Sequence, residues 1–338
     1  MRDAVADVRL HVDQLICPLF VGDLDAPNPV ASMPGVSQLP LTEAVATIRD
    51  LRTRGLRQFL LFGVTPAARK DAQGSYASDP DCPVNRTLAA VREAGLDVVM
   101  IADLCLCEYT DHGHCGVLRK AKGSGAGDQG SAKPSAVRTP IPDPRTQSPD
   151  NDHTLVRYGE IAVAQAAAGA AVVAPSGMMD GQVGAIRAAL DDAGHSDTAI
   201  LAYSVKYASH LYGPFRDAGE GHVKDGGDRR TYQMDYRRRD EWRAEVEADL
   251  AQGADMVMVK PAATYLDIIH AVRSSFPAVP LAAYHVSGEY AMLHAAAARG
   301  WLDLRAAAME TTLAIRRAGA DLIVTYFAPD LATWLAEA

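Results

Sequence analysis

Two lysines stand where apolar runs end. AILAYSV (199–205) leads into Lys206, and MVMV (256–259) leads into Lys260, which Pro261 follows directly. A single lysine at such a place is most simply a solvated charge or a phosphate ligand. Two at the ends of consecutive runs carry further, because neighbouring strands lie about 5 Å apart and would bring both amines to one cavity. Each ammonium then disfavours the other, and partial burial acts in the same direction. Lowering a lysine by about three pKa units costs roughly 4 kcal/mol, which a fold does not carry without a use. The use of a neutral amine is attack on a carbonyl to form a Schiff base.

A second group is C-x-C-x₇-C: Cys105, Cys107 and Cys115, with His114 just before the last. Cys105 and Cys107, two apart at a strand end, point to the same side. The turn YTDHGHCG can return Cys115 to them. Three thiolates would leave one position of a tetrahedral zinc ion open, as catalytic sites do, although the spacing also suits three buried thiols. A third group lies after Lys206, in YGPFRDA (212–218) and GDRRTYQMD (227–235). Arg216, Arg229 and Arg230 would suit carboxylate clamps, since a guanidinium fork matches a carboxylate; a solvated loop would read the same way.

The elements that must position these groups come from the apolar pattern. Eight runs recur at 14–21, 58–64, 97–105, 170–176, 199–205, 256–261, 280–288 and 322–327, with amphipathic or Ala-rich segments between them. Continuous apolar strands alternating with helices imply a parallel sheet covered on both faces. Eight units close most economically into a (β/α)₈ TIM barrel; an open doubly wound sheet would share the alternation, but no G-x-G-x-x-G is present. Active sites of such barrels lie at the carboxyl ends of the strands. There the chain places Asp103, Cys105, Cys107, Ser176, Lys206, Lys260, Ser287 and Tyr326.

The expected organisation is a short N-terminal arm (1–13) and a barrel (14–338), with a disordered insertion at 119–150 that is rich in Gly, Ser and Pro. A net charge of −9 argues against a nucleic-acid partner. No apolar run is long enough to span a membrane. The start carries Asp3, Asp7 and Asp13 and no signal-peptide core, and five cysteines suit a reducing compartment, so the expectation is a cytoplasmic protein.

DLCLCEYTDHGHCG, APSGMMDGQVGAIR, YSVKYASHLYGPFRDA, GDRRTYQMD, GADMVMVKPAATYLDII, AAYHVSGEYAM and RRAGADLIVTYF together resemble the porphobilinogen synthase (5-aminolaevulinate dehydratase) family. The likeness runs from about Cys17 to the C-terminus. It implies condensation of two 5-aminolaevulinate molecules to porphobilinogen, for tetrapyrrole synthesis. By resemblance, Lys260 forms the Schiff base with the substrate that becomes the propionate side, and Lys206 holds the other. Ser287 and Tyr326 match ligands of the first carboxylate; Arg216, Arg229 and Gln233 match those of the second, on a lid. Asp103 is the candidate for proton transfer, Tyr212 and Phe215 wall the pocket, and Ser176 joins the substrate-binding set. Cys105, Cys107 and Cys115 match the zinc type, and the family's assembly is a homo-octamer built through an N-terminal arm.

The chain also departs from the family pattern. Gly177 stands where the family's APSDMMDG has an aspartate, which would remove a carboxylate near the lysines. Tyr236, Arg237 and Arg238 replace the usual Pro-Ala-Asn, and Gln252 replaces a frequent glutamate at an allosteric magnesium site. These departures leave open a divergent relative acting on another amino-ketone, or a non-catalytic substrate-binding relative.

Overall fold

The computed structural model describes residues 4–119, 148–224 and 227–337. Every one of the eight apolar runs forms a strand. In chain order the strands are β1 (Leu15–Gly22), β2 (Asn28–Pro29), β3 (Ser37–Leu39), β4 (Gln58–Val64), β5 (Val99–Leu104), β6 (Val172–Pro175), β7 (Ala199–Lys206), β8 (Met256–Lys260), β9 (Leu281–His285) and β10 (Leu322–Thr325). β1 and β4 to β10 pair in parallel and in chain order. β10 then pairs back onto β1, Leu15 opposite Ile323 and Ile16 opposite Val324. The sheet is therefore the closed eight-stranded barrel that the alternation implies, with β2 and β3 as a small ribbon beside β1.

Helices sheathe the barrel: α1 (Leu41–Thr53), α2 (Pro83–Glu93), α3 (Asn151–Ala168), α4 (Gln182–Asp192), α5 (Gly213–Gly219), α6 (Glu241–Ala251), α7 (Leu266–Ser275), α8 (Ser287–Ala298), α9 (Leu304–Ala318) and α10 (Ala328–Ala336). Their ends follow local chemistry. Asp303 caps α9 by accepting from the Ala306 N–H at 2.7 Å, and α3 stops at Gly169, whose φ of 119° suits glycine. Gln252 Oε1 accepts from the Gly184 N–H at 3.1 Å, satisfying a donor in the first turn of α4. That is a structural use for the glutamine.

Strand alternation decides which side chains reach the interior. Along β8, Val257 and Val259 pack outward with Ile269 and Val272 of α7 and Ile315 of α9, so Met258 and Lys260 face inward. On β7, Tyr203 and Lys206 are three apart and a regular strand would send them to opposite faces. The register shifts between Ala202 and Val205, and one extra residue turns both inward.

Leu118 pairs with Pro149, and Asp150 caps α3, so the expected insertion is ordered at its edges. Residues 120–147, most of it, lie outside the described residues. Within the expected arm, Leu10 and Val12 pack against the core and Val12–Gln14 forms a 3₁₀ turn.

Ile16, fully buried at the β1–β10 seam, tests the closure. Ile16→Ala should cost about 2–5 kcal/mol in urea unfolding, whereas a loss below about 1 kcal/mol would contradict the packed seam.

Candidate active site

Lys206 and Lys260 are direct partners in the β7–β8 ladder, and each is 5% exposed. Lys260 Nζ lies 4.1 Å from the ring centroid of Tyr284, 5.0 Å from Tyr203, 5.3 Å from Phe215 and 5.4 Å from Tyr212. Aromatic faces favour an ammonium, but burial opposes it more strongly. Burial first, and the Lys206 charge second, bring the Lys260 amine down to about 7. Lys206 Nζ donates to the Ser176 carbonyl, which aims it across the end of β6.

The backbone behind Lys260 is held from two sides. Tyr212 Oη donates to the Tyr207 and Lys260 carbonyls at 2.8 and 3.1 Å. Glu289, buried in α8, accepts from the Ala263, Thr264 and Val286 N–H groups at 2.8, 3.3 and 2.8 Å. Its carboxylate thus ties the loop after Lys260 to the strand end that leads to Ser287. Ser287 Oγ accepts from the Phe215 N–H at 2.9 Å, so α5 is fastened over the cavity. Tyr326 Oη sits 3.0 Å from Tyr284 Oη, one residue past the end of β10.

Asp103, on β5, accepts from Ser176 Oγ at 3.2 Å through one carboxyl oxygen; the other is buried and unpartnered. Burial, then the charge of Glu108, lift its carboxyl to about 7, against the pull of Lys206 and Lys260. A carboxyl and an amine that both change charge near neutral pH are suited to exchanging a proton.

Cys105, Cys107 and Cys115 are buried with their sulfurs within 4.8 Å of one another. Cys105 and Cys107 hydrogen-bond to Cys115 and hold its thiol well below the usual range, with help from Arg229. A set of three soft donors, one of them with its thiol lowered, fits a thiophilic cation. His114 is not in this group; its Nδ1 lies 3.2 Å from Tyr232 Oη.

Arg229 is buried and donates to the Gly113 and Gly221 carbonyls at 2.8 Å each, while its Nε is unpartnered. Arg216, half-buried, also has an unpartnered Nε, and burial then Arg229 lower its pKa. Gln233 is buried with a free amide nitrogen. Three buried donors thus have no acceptor, and the two guanidinium groups among them feel the thiols electrostatically, which suits an anionic group.

The model for the family described as delta-aminolevulinic acid dehydratase matches residues 1–133 and 140–334. The chain belongs to this family. The dehydratase of Mycobacterium tuberculosis is 47% identical over 337 residues, 99% of this chain and 94% of the relative. That of Archaeoglobus fulgidus is 43% identical, covering 98% of this chain and 94% of the relative. A crystal structure of the Toxoplasma gondii dehydratase (porphobilinogen synthase) with the product porphobilinogen superposes with a TM-score of 0.90 at 40% identity. That match covers 99% of this chain and 88% of that one.

For this member of the dehydratase family one sequence expectation changes. Arg230 is no clamp: it is exposed, and its Nε donates to Asp228 at 2.6 Å, because neighbours on a turn point apart. Gly177, which brings no carboxylate, is packed against Tyr158. A Cβ there would lie 1.6 Å from the Tyr158 hydroxyl, so a phenol already fills the space.

Sequence reasoning also missed Tyr203, Tyr284, Glu108, Glu289 and Tyr232. The first two sit inside strands and read as core. Glu108 and Tyr232 lie inside motifs already quoted, where a buried carboxyl or phenol could have been suspected from its neighbours.

The pH dependence of Lys260 follows. Its folded value of about 7 lies below the ordinary ~10.4, so folding releases a proton between those limits. The stability it withholds is greatest below pH 7 and is regained as pH rises toward ~10.4. Modification of Lys260 by a small amine-directed reagent should rise with a midpoint near 7; a midpoint near 10 would contradict the closed, two-lysine site.

Proposed function

We propose that the chain condenses two molecules of 5-aminolaevulinate to porphobilinogen, with imines at the two lysines. The observation that carries the reading is the opposition of Lys206 and Lys260 at adjacent strand ends, inside aromatic walls and beside three converging thiols. The relatives named for this reaction match nearly the whole chain.

In this reading the neutral Lys260 amine attacks the ketone of one substrate, and the adduct loses water to give an imine. Lys206 engages the second substrate in the same way. Iminium formation acidifies the neighbouring carbon, and Asp103 takes and returns protons. One carbon–carbon and one carbon–nitrogen bond join the two substrates. Both ketone oxygens leave as water, and both lysines are freed as the pyrrole forms. Ser287 and Tyr326 hold the first substrate's carboxylate; Arg216, Arg229 and Gln233 hold the second's. Ser176, Tyr212 and Phe215 line the cavity and keep water out.

Cys105, Cys107 and Cys115 would hold a zinc ion, which when bound supplies Lewis-acid polarisation of the second substrate's carbonyl or a bound hydroxide. The reading includes a cytoplasmic location, inferred from the charged start and the cysteines, and a homo-octamer, as the resemblance implies. Among the described residues no helix is long and apolar enough to cross a membrane.

Purified protein given 5-aminolaevulinate and zinc should yield pyrrole with Ehrlich's reagent, and borohydride should trap substrate on Lys260. Lys260→Ala should fall to background. Cys115→Ser should weaken zinc binding by at least ~10-fold. Trapped adducts with a different amino-ketone, and none with 5-aminolaevulinate, would instead indicate another substrate. Binding without adduct or pyrrole would indicate a non-catalytic relative.

A further inference from the structure

Cys105 and Cys107 follow β5 directly and are placed by the barrel. Cys115 arrives by a loop, so something else must hold it. One face of α3 does so. Asp150, Thr154 and Tyr158 are spaced four apart and stack along one side of the helix. The Asp150 N–H donates to the Val117 carbonyl at 2.6 Å. Thr154 Oγ1 accepts from the Val117 N–H at 3.0 Å and donates to the Asp150 carbonyl at 2.6 Å. Tyr158, fully buried, donates from its hydroxyl to the Cys115 carbonyl at 2.6 Å.

From the other side, Tyr232 Oη accepts from the Cys115 N–H at 3.2 Å. Both backbone groups of the third thiol are therefore fixed by phenols. Tyr158 reaches its acceptor only over a glycine: a Cβ on residue 177 would lie 1.6 Å from its hydroxyl and 2.6 Å from its Cζ. The preceding residue, Ser176, gives its carbonyl to Lys206. One buried ring thus lies against both the thiol loop and the strand end that orients an amine.

We propose that Tyr158 is the positioning residue of the thiol site, and that Gly177 is the glycine that seats it. Its hydroxyl fixes the Cys115 peptide so that the third sulfur meets the other two. This rests on the reading of the three thiols as a metal site, and the test separates the two.

Tyr158→Phe keeps the ring and removes only the hydrogen bond. Zinc affinity, measured by competition with a chromophoric chelator, should fall about 10–100-fold, the range for a group that orients a metal ligand. Amide exchange across 116–118 should accelerate. In the cobalt-loaded protein the thiolate-to-metal absorption should change, which a merely structural loss elsewhere would not produce. Gly177→Ala keeps the hydroxyl but removes its seat, and should give a matching loss; it also decides the matter if the Phe variant fails to fold. Zinc affinity and exchange within about twofold of the unsubstituted chain in either folded variant would overturn the proposal. An unsubstituted chain that binds no zinc would overturn the metal reading alone, and exchange would still decide the clamp.

Discussion

The structure turns on one pairing, Lys206 opposite Lys260 in the β7–β8 ladder. Two amines on one face of a parallel pair repel when charged, and a closed cavity withholds the water that would soften the repulsion. The arrangement is sustained by what surrounds it. Val257 and Val259 anchor the outward face of β8, the shift in β7 re-phases Lys206, and Tyr212 and Glu289 clasp the backbone that follows Lys260. Four aromatic rings around Nζ soften the residual charge without restoring the solvation it has lost.

The rest of the site answers that pairing with opposite polarity. Asp103 and Glu108 are buried on the β5 side, and burial raises both carboxyls. Cys115 carries the lowered thiol of its group, with Arg229 among the charges that favour its ionised form. The acid and the amines therefore occupy one rim on strands fixed by backbone hydrogen bonds, with the thiols just beyond the end of β5. Protons can then be rearranged there without rearranging the chain, which is what preorganisation supplies. The cover, α5 with Phe215 and Arg216, is joined to Ser287, so the walls that exclude water are tied to a group expected to bind substrate.

Much of this was legible in the amino acids. Eight apolar runs became the eight barrel strands because a strand buried on both faces cannot hide its pattern. Lys206, Lys260 and the three cysteines stood out because polar residues at the ends of such runs have few structural uses. Tyr203 and Tyr284 did not, since an aromatic inside an apolar run reads as packing, and the shift that turns Tyr203 inward has no local signal. That Gly177 also seats Tyr158 was not legible, because Tyr158 lies on the preceding helix and no spacing along the chain links them. Arg230 was grouped with Arg229 by adjacency, although Arg229 is buried and Arg230 is exposed and paired with Asp228.

That the charge of Lys206 lowers the Lys260 amine is tested most directly by the titration of Lys260 with its partner's charge removed. Carbon-13 NMR of the lysine Cε in a Lys206→Gln variant would follow it. The account predicts a midpoint clearly above the value of about 7 held beside Lys206, yet below the ordinary ~10.4 because burial remains. A midpoint unchanged or lowered in that variant would contradict it.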